Sequence, residues 1–164
     1  MTDVVDTAKR RKMMANIRAK DTKPELIIRK ELHKAGFRYR LHAKTISGKP
    51  DLVFPKYNAV IFVNGCFWHR HDCHLFKWPK TRIEFWTSKL TANSERDRRN
   101  IALLLKTGWR VLQIWECALK GKHRLPMEAV IDFTSSWLRS NTPCASVTGT
   151  DTKGTTSGEG TART

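Results

Sequence analysis

The sequence predicts a mixed α/β domain, and three observations carry that reading. Two capping-box patterns open apolar-striped helical segments. Two short β-rich runs stand three residues apart. A further strand-like run lies between the last two helical segments. The 164 residues suit one domain and are long enough to bury a hydrophobic core.

Taken in order, residues 1–20 read as a basic arm or short helix, TAKRRKMMANIRAKD, with Met13, Met14 and Ile17 as its apolar stripe. Residues 21–140 form the main domain. Thr22-Lys-Pro-Glu25 fits a helix start, with Thr22 as N-cap, proline in the first turn and Glu25 as capping-box partner. Leu26, Ile27, Leu32 and Ala35 are the expected buried face, and Gly36 the stop. Asp51–Pro55 and Ala59–Asn64, separated by Lys56-Tyr57-Asn58, predict a hairpin. Thr81-Arg-Ile-Glu84 repeats the capping box and opens a helix to about Thr91, followed by a second over about Ser94–Lys106 that stops at Gly108. Trp109–Glu116 predicts a strand ending at Cys117. Glu128–Arg139 predicts a terminal helix with Val130, Ile131, Phe133, Trp137 and Leu138 for packing. Residues 141–164 are rich in Thr, Gly and Ser and predict a disordered tail, Cys144 included.

Charge narrows the function. Lys plus Arg number 31 against 15 Asp plus Glu, a net +16. Lys153 and Arg163 cancel Asp151 and Glu159, so the whole excess lies on residues 1–140. A field of that sign favours a polyanion, and nucleic acid fits it better than a merely solubilising surface does. No run approaches the roughly 18 apolar residues of a membrane span. The N-terminus carries no apolar core or cleavage signal, so the expected compartment is the cytoplasm, with no membrane partner. Cysteines there stay reduced, which leaves metal binding or burial as their use.

Cys66, His69, His71, Cys73 and His74 stand within nine residues, and Cys117 follows a later strand. Thiolate and imidazole are the ligand set of tetrahedral zinc. The alternative is that the cysteines are small buried hydrophobes. The spacing does not choose among the histidines. A zinc deaminase is disfavoured, because its His-x-Glu and Pro-Cys-x-x-Cys are missing. Asp51, after Gly-Lys-Pro, is either a turn residue or a hard-cation ligand able to position Mg²⁺ against a phosphate.

Specific motifs add to this reading: Gly48-Lys-Pro-Asp51, the run Val60-Ile-Phe-Val-Asn-Gly-Cys-Phe-Trp-His69 with His71 and Cys73, and Phe85-Trp86. Glu95-Arg-Asp-Arg-Arg99, Gly108-Trp-Arg-Val and Trp115-Glu-Cys117 continue the series. In these the chain resembles the very-short-patch repair (Vsr) endonucleases, from about Lys9 to Leu138. The resemblance implies a restriction-endonuclease-like mixed sheet flanked by helices, with a structural zinc site. It also implies nicking 5′ of the thymine in T·G mismatches left by 5-methylcytosine deamination. The partner is then double-stranded DNA bearing that mismatch, and the enzyme a monomer working alongside a cytosine-5 methyltransferase and mismatch-repair factors.

By the same resemblance, Asp51 and the backbone carbonyl of Val63 bind catalytic Mg²⁺, His69 transfers protons, and Glu25 lies near the metal-bound waters. Cys66, His71, Cys73 and Cys117 hold structural Zn²⁺. Phe67, Trp68 and Trp86 wedge into the base stack, Met14 probes the minor groove, and Lys89 and Asn93 contact the mismatched pair. Each position also has a plainer reading: capping for Glu25, helix packing for Met14, core for the aromatics. Phe67 and Trp68, as neighbours on an extended chain, would face opposite ways. The second strand reads Phe62-Val-Asn64, without the Glu-x-Lys of many nucleases but as the repair family has it. Asn64 replaces an ionisable residue of well-known members, so it can hydrogen-bond but not titrate. Two rival functions stand beside this one: a zinc-stabilised DNA-binding module without cleavage, and a restriction endonuclease acting on matched DNA.

Overall fold

A computed structural model of the chain describes residues 22–150. The basic arm with Met14, and residues 151–164, lie outside the described residues. Among the described residues the elements run α1 (Lys23–Lys34), β1 (Arg40–Leu41), β2 (Leu52–Phe54), a single 3₁₀ turn (Pro55–Tyr57) and β3 (Ala59–Asn64). Then come α2 (Ile83–Lys106), β4 (Arg110–Trp115), α3 (Glu116–Leu119), α4 (Met127–Leu138) and β5 (Cys144–Val147). The strands form one sheet in the order β1-β2-β3-β4-β5. The first two pairings are antiparallel and the last two parallel, so α2 is the crossover from β3 to β4. The expected mixed α/β architecture and the expected hairpin are both present.

Period-two alternation assigns the sheet's two faces. Leu52, Phe54, Ala59, Ile61, Leu112 and Ile114 pack with Ile28 and Leu32 of α1 and Val130, Trp137 and Leu138 of α4. Val53, Val60 and Val111 point the other way, onto Leu104, Ile101 and Leu105 of α2. Helices thus cover both faces, and the functional loops are left at the carboxyl ends of β3 and β4. That is where open α/β sheets leave a crevice.

Several expectations need correction. Helix α1 buries Glu25, Ile28 and Leu32, while Leu26 and Ile27 are 46% and 37% exposed and Ala35 is also exposed. The stripe through Leu26 and Ile27 continues into Lys30, His33 and Lys34, and burying it would have buried their charges. The two helices expected on either side of Thr91–Ser94 are one, α2. No Gly or Pro interrupts that stretch, and Asn93 spends its amide on the Trp68 carbonyl rather than on its own backbone. The start of α2 is not capped by Thr81. The chain enters through Arg82 in the left-handed region (φ +51°), whose guanidinium lies over the Phe85 ring. In α4, Phe133 is 37% exposed, and Thr134 is buried with its hydroxyl donating to the Val130 carbonyl.

The tail also departs from expectation, because residues 144–147 form β5 beside β4. Averaged composition hid a local alternation in which Ala145 and Val147 face the core and Ser146 faces out. Gly149 follows, and a Cβ there would lie 2.5 Å from the Cys117 carbonyl oxygen. Only glycine permits that approach, which lets the Gly149 N–H donate to Cys117 Sγ at 3.3 Å.

Arg110 ties this end together. Its guanidinium donates to the carbonyls of Tyr57, Trp137, Leu138 and Thr142 and stacks on Trp137. Arg110→Met strands those carbonyls, so urea denaturation should show a loss of about 2–3 kcal/mol. An unchanged midpoint would mean the carbonyls find water instead.

Among the described residues, no helix is long and apolar enough to cross a membrane.

Candidate active site and metal centre

Strand β3 runs straight into a tight loop, Gly65–Cys73, held by its own backbone. The His69 N–H donates to the Gly65 carbonyl, and the His71 N–H to that of Cys66 at 2.9 Å. The loop's side chains part in three directions.

Cys66, His71 and Cys73 turn back toward Cys117 at the start of α3, and one ligand atom from each lies within 4.8 Å of all the others. His71 Nδ1 is 3.6 Å from both Cys66 Sγ and Cys117 Sγ. Sulfur and nitrogen on one tetrahedral ion, at metal bonds of about 2.3 and 2.0–2.1 Å, stand about 3.6 Å apart. The quartet therefore fits a four-coordinate ion. Backbone N–H groups of Cys117 and Gly149 donate to Cys66 Sγ and Cys117 Sγ, and the His71 ring stacks on Trp115 at 4.1 Å. Such surrounding contacts orient ligands before an ion arrives. The hydrogen bond from the Cys66 thiol, with His71 beside it, pulls Cys117 down to about 4, whereas burial pushes the Cys73 thiol up. His74, an open alternative in the sequence, is not in the quartet; its ring packs edge-on against His123 at 4.5 Å.

The second direction leads to a mostly buried acidic pocket. Asp51 precedes β2 and accepts the Val63 N–H at 2.7 Å. Burial raises its pKa from 3.8 to about 6. The Val63 hydrogen bond opposes that rise, Glu25 adds to it, and His42 and His69 lower it. Glu25, 1% exposed, reaches the same pocket from α1. Its backbone N–H donates to Thr22 Oγ1 at 3.4 Å, so the N-cap is as expected. Its carboxylate, however, lies 2.6 Å from Arg29 Nη2 and 3.1 Å from His42 Nε2. Glu25, His42 and Asp51 bring three donor atoms within 4.8 Å of one another. His69 Nδ1 lies 2.5 Å from Asp97 Oδ2, which leaves Nε2 for proton exchange. Behind this pair a cavity of about 50 Å³ is lined by Asn64, Asn100 and Gln113 among others, and Asn64 is 5% exposed.

The third direction is outward. Phe67 and Trp68 do not oppose each other, because the chain turns here and their rings meet edge-on at 5.2 Å. Trp86 of α2 lies 5.4 and 5.9 Å from them. All three are half-buried, with Phe85 43% exposed beside Trp86. Lys89 is exposed over the Phe85 ring, and Asn93 donates to the Trp68 carbonyl, bracing the loop. Next to them a groove of about 680 Å³ is lined by Arg70, Lys77, Trp78 and Arg98.

Sequence reasoning missed Asp97, Arg29 and His42. Asp97 was within reach, since Trp86, Leu90, Asn93, Asp97 and Asn100 recur at helical spacing and form one inward stripe of α2. Arg29 was also within reach, four residues after Glu25 on α1, whereas His42 meets Glu25 only through tertiary folding and no local spacing signals it.

Comparison with known proteins agrees with the geometry. The family model described as DNA mismatch endonuclease Vsr matches residues 2–75. The chain is 46% identical over 138 residues to the DNA mismatch endonuclease Vsr of Escherichia coli (strain K12), covering 84% of this chain and 88% of that one. It is 48% identical over 122 residues to the type II nicking enzyme V.NmeAIP of Neisseria meningitidis, covering 74% and 87%. To V.XorIIP of Xanthomonas oryzae, another type II nicking enzyme, it is 46% identical over 119 residues, covering 73% and 88%.

Proposed function

Since the chain belongs to the Vsr family of DNA mismatch endonucleases, we propose that it nicks double-stranded DNA 5′ of the thymine in T·G mismatches, using Mg²⁺ at Asp51. One observation carries this reading. A single loop sets His69 close enough to act on the charge of Asp51 while its neighbours Phe67 and Trp68 join an outward aromatic cluster. Chemistry and base-stack wedge are thus separated by one or two residues, so unstacking a base delivers the adjacent phosphate to the carboxylate. The sheet with helices on both faces supports a restriction-endonuclease-like fold; a cytoplasmic monomer working alongside a methyltransferase and mismatch-repair factors completes the reading.

A divalent ion held by Asp51 and the Val63 carbonyl would supply Lewis acidity at the scissile phosphate and acidify a bound water. His69, its ring oriented by Asp97, takes the proton of the attacking water through Nε2. Glu25 and Asp51 confine negative charge to one wall, and Arg70, Lys77 and Arg98 line a groove suited to backbone phosphates. Attack of the water oxygen on phosphorus breaks the P–O3′ bond, and the leaving oxygen takes a proton from a second water, which gives a 3′-hydroxyl and a 5′-phosphate. Cys66, His71, Cys73 and Cys117 would hold Zn²⁺, which fixes the loop's shape and takes no part in cleavage.

Opening the stack costs a few kcal/mol per step, and less at an already weakened T·G pair. Selectivity for the mismatch follows from that difference. The type II nicking enzymes among the relatives keep a second reading in view, a nickase tied to a restriction system. His69→Ala should lower turnover by roughly 10²–10⁴-fold, and Asp97→Asn by a smaller factor, with mismatch binding in a gel-shift assay unchanged. Full turnover in both variants would remove His69 from the proton transfer and Asp97 from its positioning.

A further inference from the structure

We propose that His42 is a third donor, beside Glu25 and Asp51, to the ion at the nuclease centre, and that its nitrogen makes the centre prefer a first-row transition ion such as Mn²⁺ to Mg²⁺. The proposal rests on the reading of Asp51 as the metal-binding carboxylate. It assigns to that centre a ligand and a metal preference.

The donor atoms of Glu25, His42 and Asp51 lie within 4.8 Å of one another, the span that ligands of one ion occupy. Two are carboxylates and the third is an imidazole nitrogen. Mg²⁺ takes oxygen ligands almost exclusively, whereas imidazole favours first-row transition ions. An all-oxygen wall is therefore neutral between Mg²⁺ and Mn²⁺ in a way that this wall is not.

The placement of His42 supports the same role. Arg29 Nη2 lies 3.0 Å from His42 Nε2. The same ring nitrogen lies 3.1 Å from Glu25 Oε1, so Nε2 is the ring atom that faces the acidic wall. An imidazole edge held against Glu25, with a ring nitrogen within 4.8 Å of a donor oxygen from each carboxylate, places a ligand atom at this wall. The backbone holds it there: His42 is in the left-handed region (φ +48°), and its N–H donates to the Asp51 carbonyl at 3.3 Å. An unusual conformation kept beside a buried acidic pair points to a placed side chain.

Arg29 explains how the site holds together before an ion arrives. Its Nη2 donates to Glu25 Oε1 at 2.6 Å and lies 3.0 Å from His42 Nε2, so one guanidinium fills the cation position between two of the three donors. A bound ion would take that position in its place.

The test is Mn²⁺ binding to the full-length protein, followed by electron paramagnetic resonance, with ¹⁴N spin-echo modulation as the signature of a nitrogen ligand and competition by Mg²⁺ as the measure of preference. His42→Asn is the variant of choice, because asparagine accepts the left-handed backbone. His42→Gln keeps greater side-chain length and guards against a local folding defect. The expected result is ¹⁴N modulation in the wild type that is lost in both variants. Mn²⁺ affinity should fall by roughly 10–100-fold, as it does even for lost outer-shell partners, with Mg²⁺ affinity nearly unchanged. Persistence of the modulation and of Mn²⁺ affinity in both His42 variants, with binding abolished by Asp51→Asn, would overturn the role of His42 and leave Asp51 standing. Undiminished Mn²⁺ binding in Asp51→Asn would remove the reading of Asp51 and this proposal with it.

Discussion

Asp51→Asn is expected to abolish nicking, to leave DNA binding intact and to stabilise the metal-free protein. The catalytic loss should be on the order of 10³-fold or more, since the carboxylate that positions the ion accounts for several kcal/mol of transition-state stabilisation. The gain in stability follows from burial. The folded protein keeps Asp51 protonated up to about pH 6, whereas the unfolded chain releases that proton near 3.8. Between those values the native state binds more protons than the unfolded state, so stability falls as pH rises through the window. Above it, the ionised buried carboxylate costs about 3 kcal/mol, from roughly two pKa units at 1.4 kcal/mol each. Asparagine carries no such cost and can still accept the Val63 N–H. Urea denaturation without divalent ions should show Asp51→Asn more stable by about 1–3 kcal/mol at pH 7.5 and nearly equal to wild type at pH 4. A variant less stable at both pH values would mean that Asp51 is a structural hydrogen-bond acceptor and that the pocket does not await a cation.

Removing the ion from the cysteine–histidine quartet is expected to cost more than any single side chain in the core. Structural zinc contributes roughly 10–16 kcal/mol of apparent binding energy in small zinc domains, and binding of that size is coupled to folding. Here the quartet joins the β3 loop to α3, and through Gly149 to the end of β5. A strong chelator, or Cys117→Ser, should release the loop, separate Phe67 and Trp68 from Trp86, and lower the unfolding temperature by well over ten degrees. Tryptophan fluorescence and metal analysis of the purified protein check this together, with one zinc per chain as the expected content. Folded, active protein free of zinc would contradict it. A mutation of the quartet should impair DNA binding as well as cleavage, which separates it from the Asp51 variant.

The elements legible in the sequence are those whose signals are local. The N-cap at Thr22, the hairpin around Lys56-Tyr57-Asn58 and the β-rich runs that form β2, β3 and β4 needed only neighbours a few residues apart. What the sequence obscured depends on distant partners. Strand β5 is four residues in a Thr-, Gly- and Ser-rich stretch and exists because β4 offers an edge to pair with. Asn93 sits within the continuous helix α2 with its amide on the Trp68 carbonyl, a partner from the distant β3 loop. At the site, the Cys66–Cys73 motif named its own members, and the structure brings Cys66, His71, Cys73 and Cys117 together as the resemblance implied. Asp97 and Arg29 stood at readable helical spacings, but that Asp97 meets His69 and His42 meets Glu25 was not legible, because each of those pairs joins segments distant in sequence.

The central claim is that one loop couples an unstacked mismatch to the Asp51 chemistry. It is tested most directly by incubating end-labelled duplexes, identical except for T·G against T·A and C·G at one position, with the protein and Mg²⁺, and mapping breaks on each strand. The account predicts a single nick on the thymine strand of the T·G duplex, immediately 5′ of the thymine, with 3′-hydroxyl and 5′-phosphate ends and intact matched controls. Equal cleavage of matched and mismatched duplexes, or breaks in both strands, would contradict it.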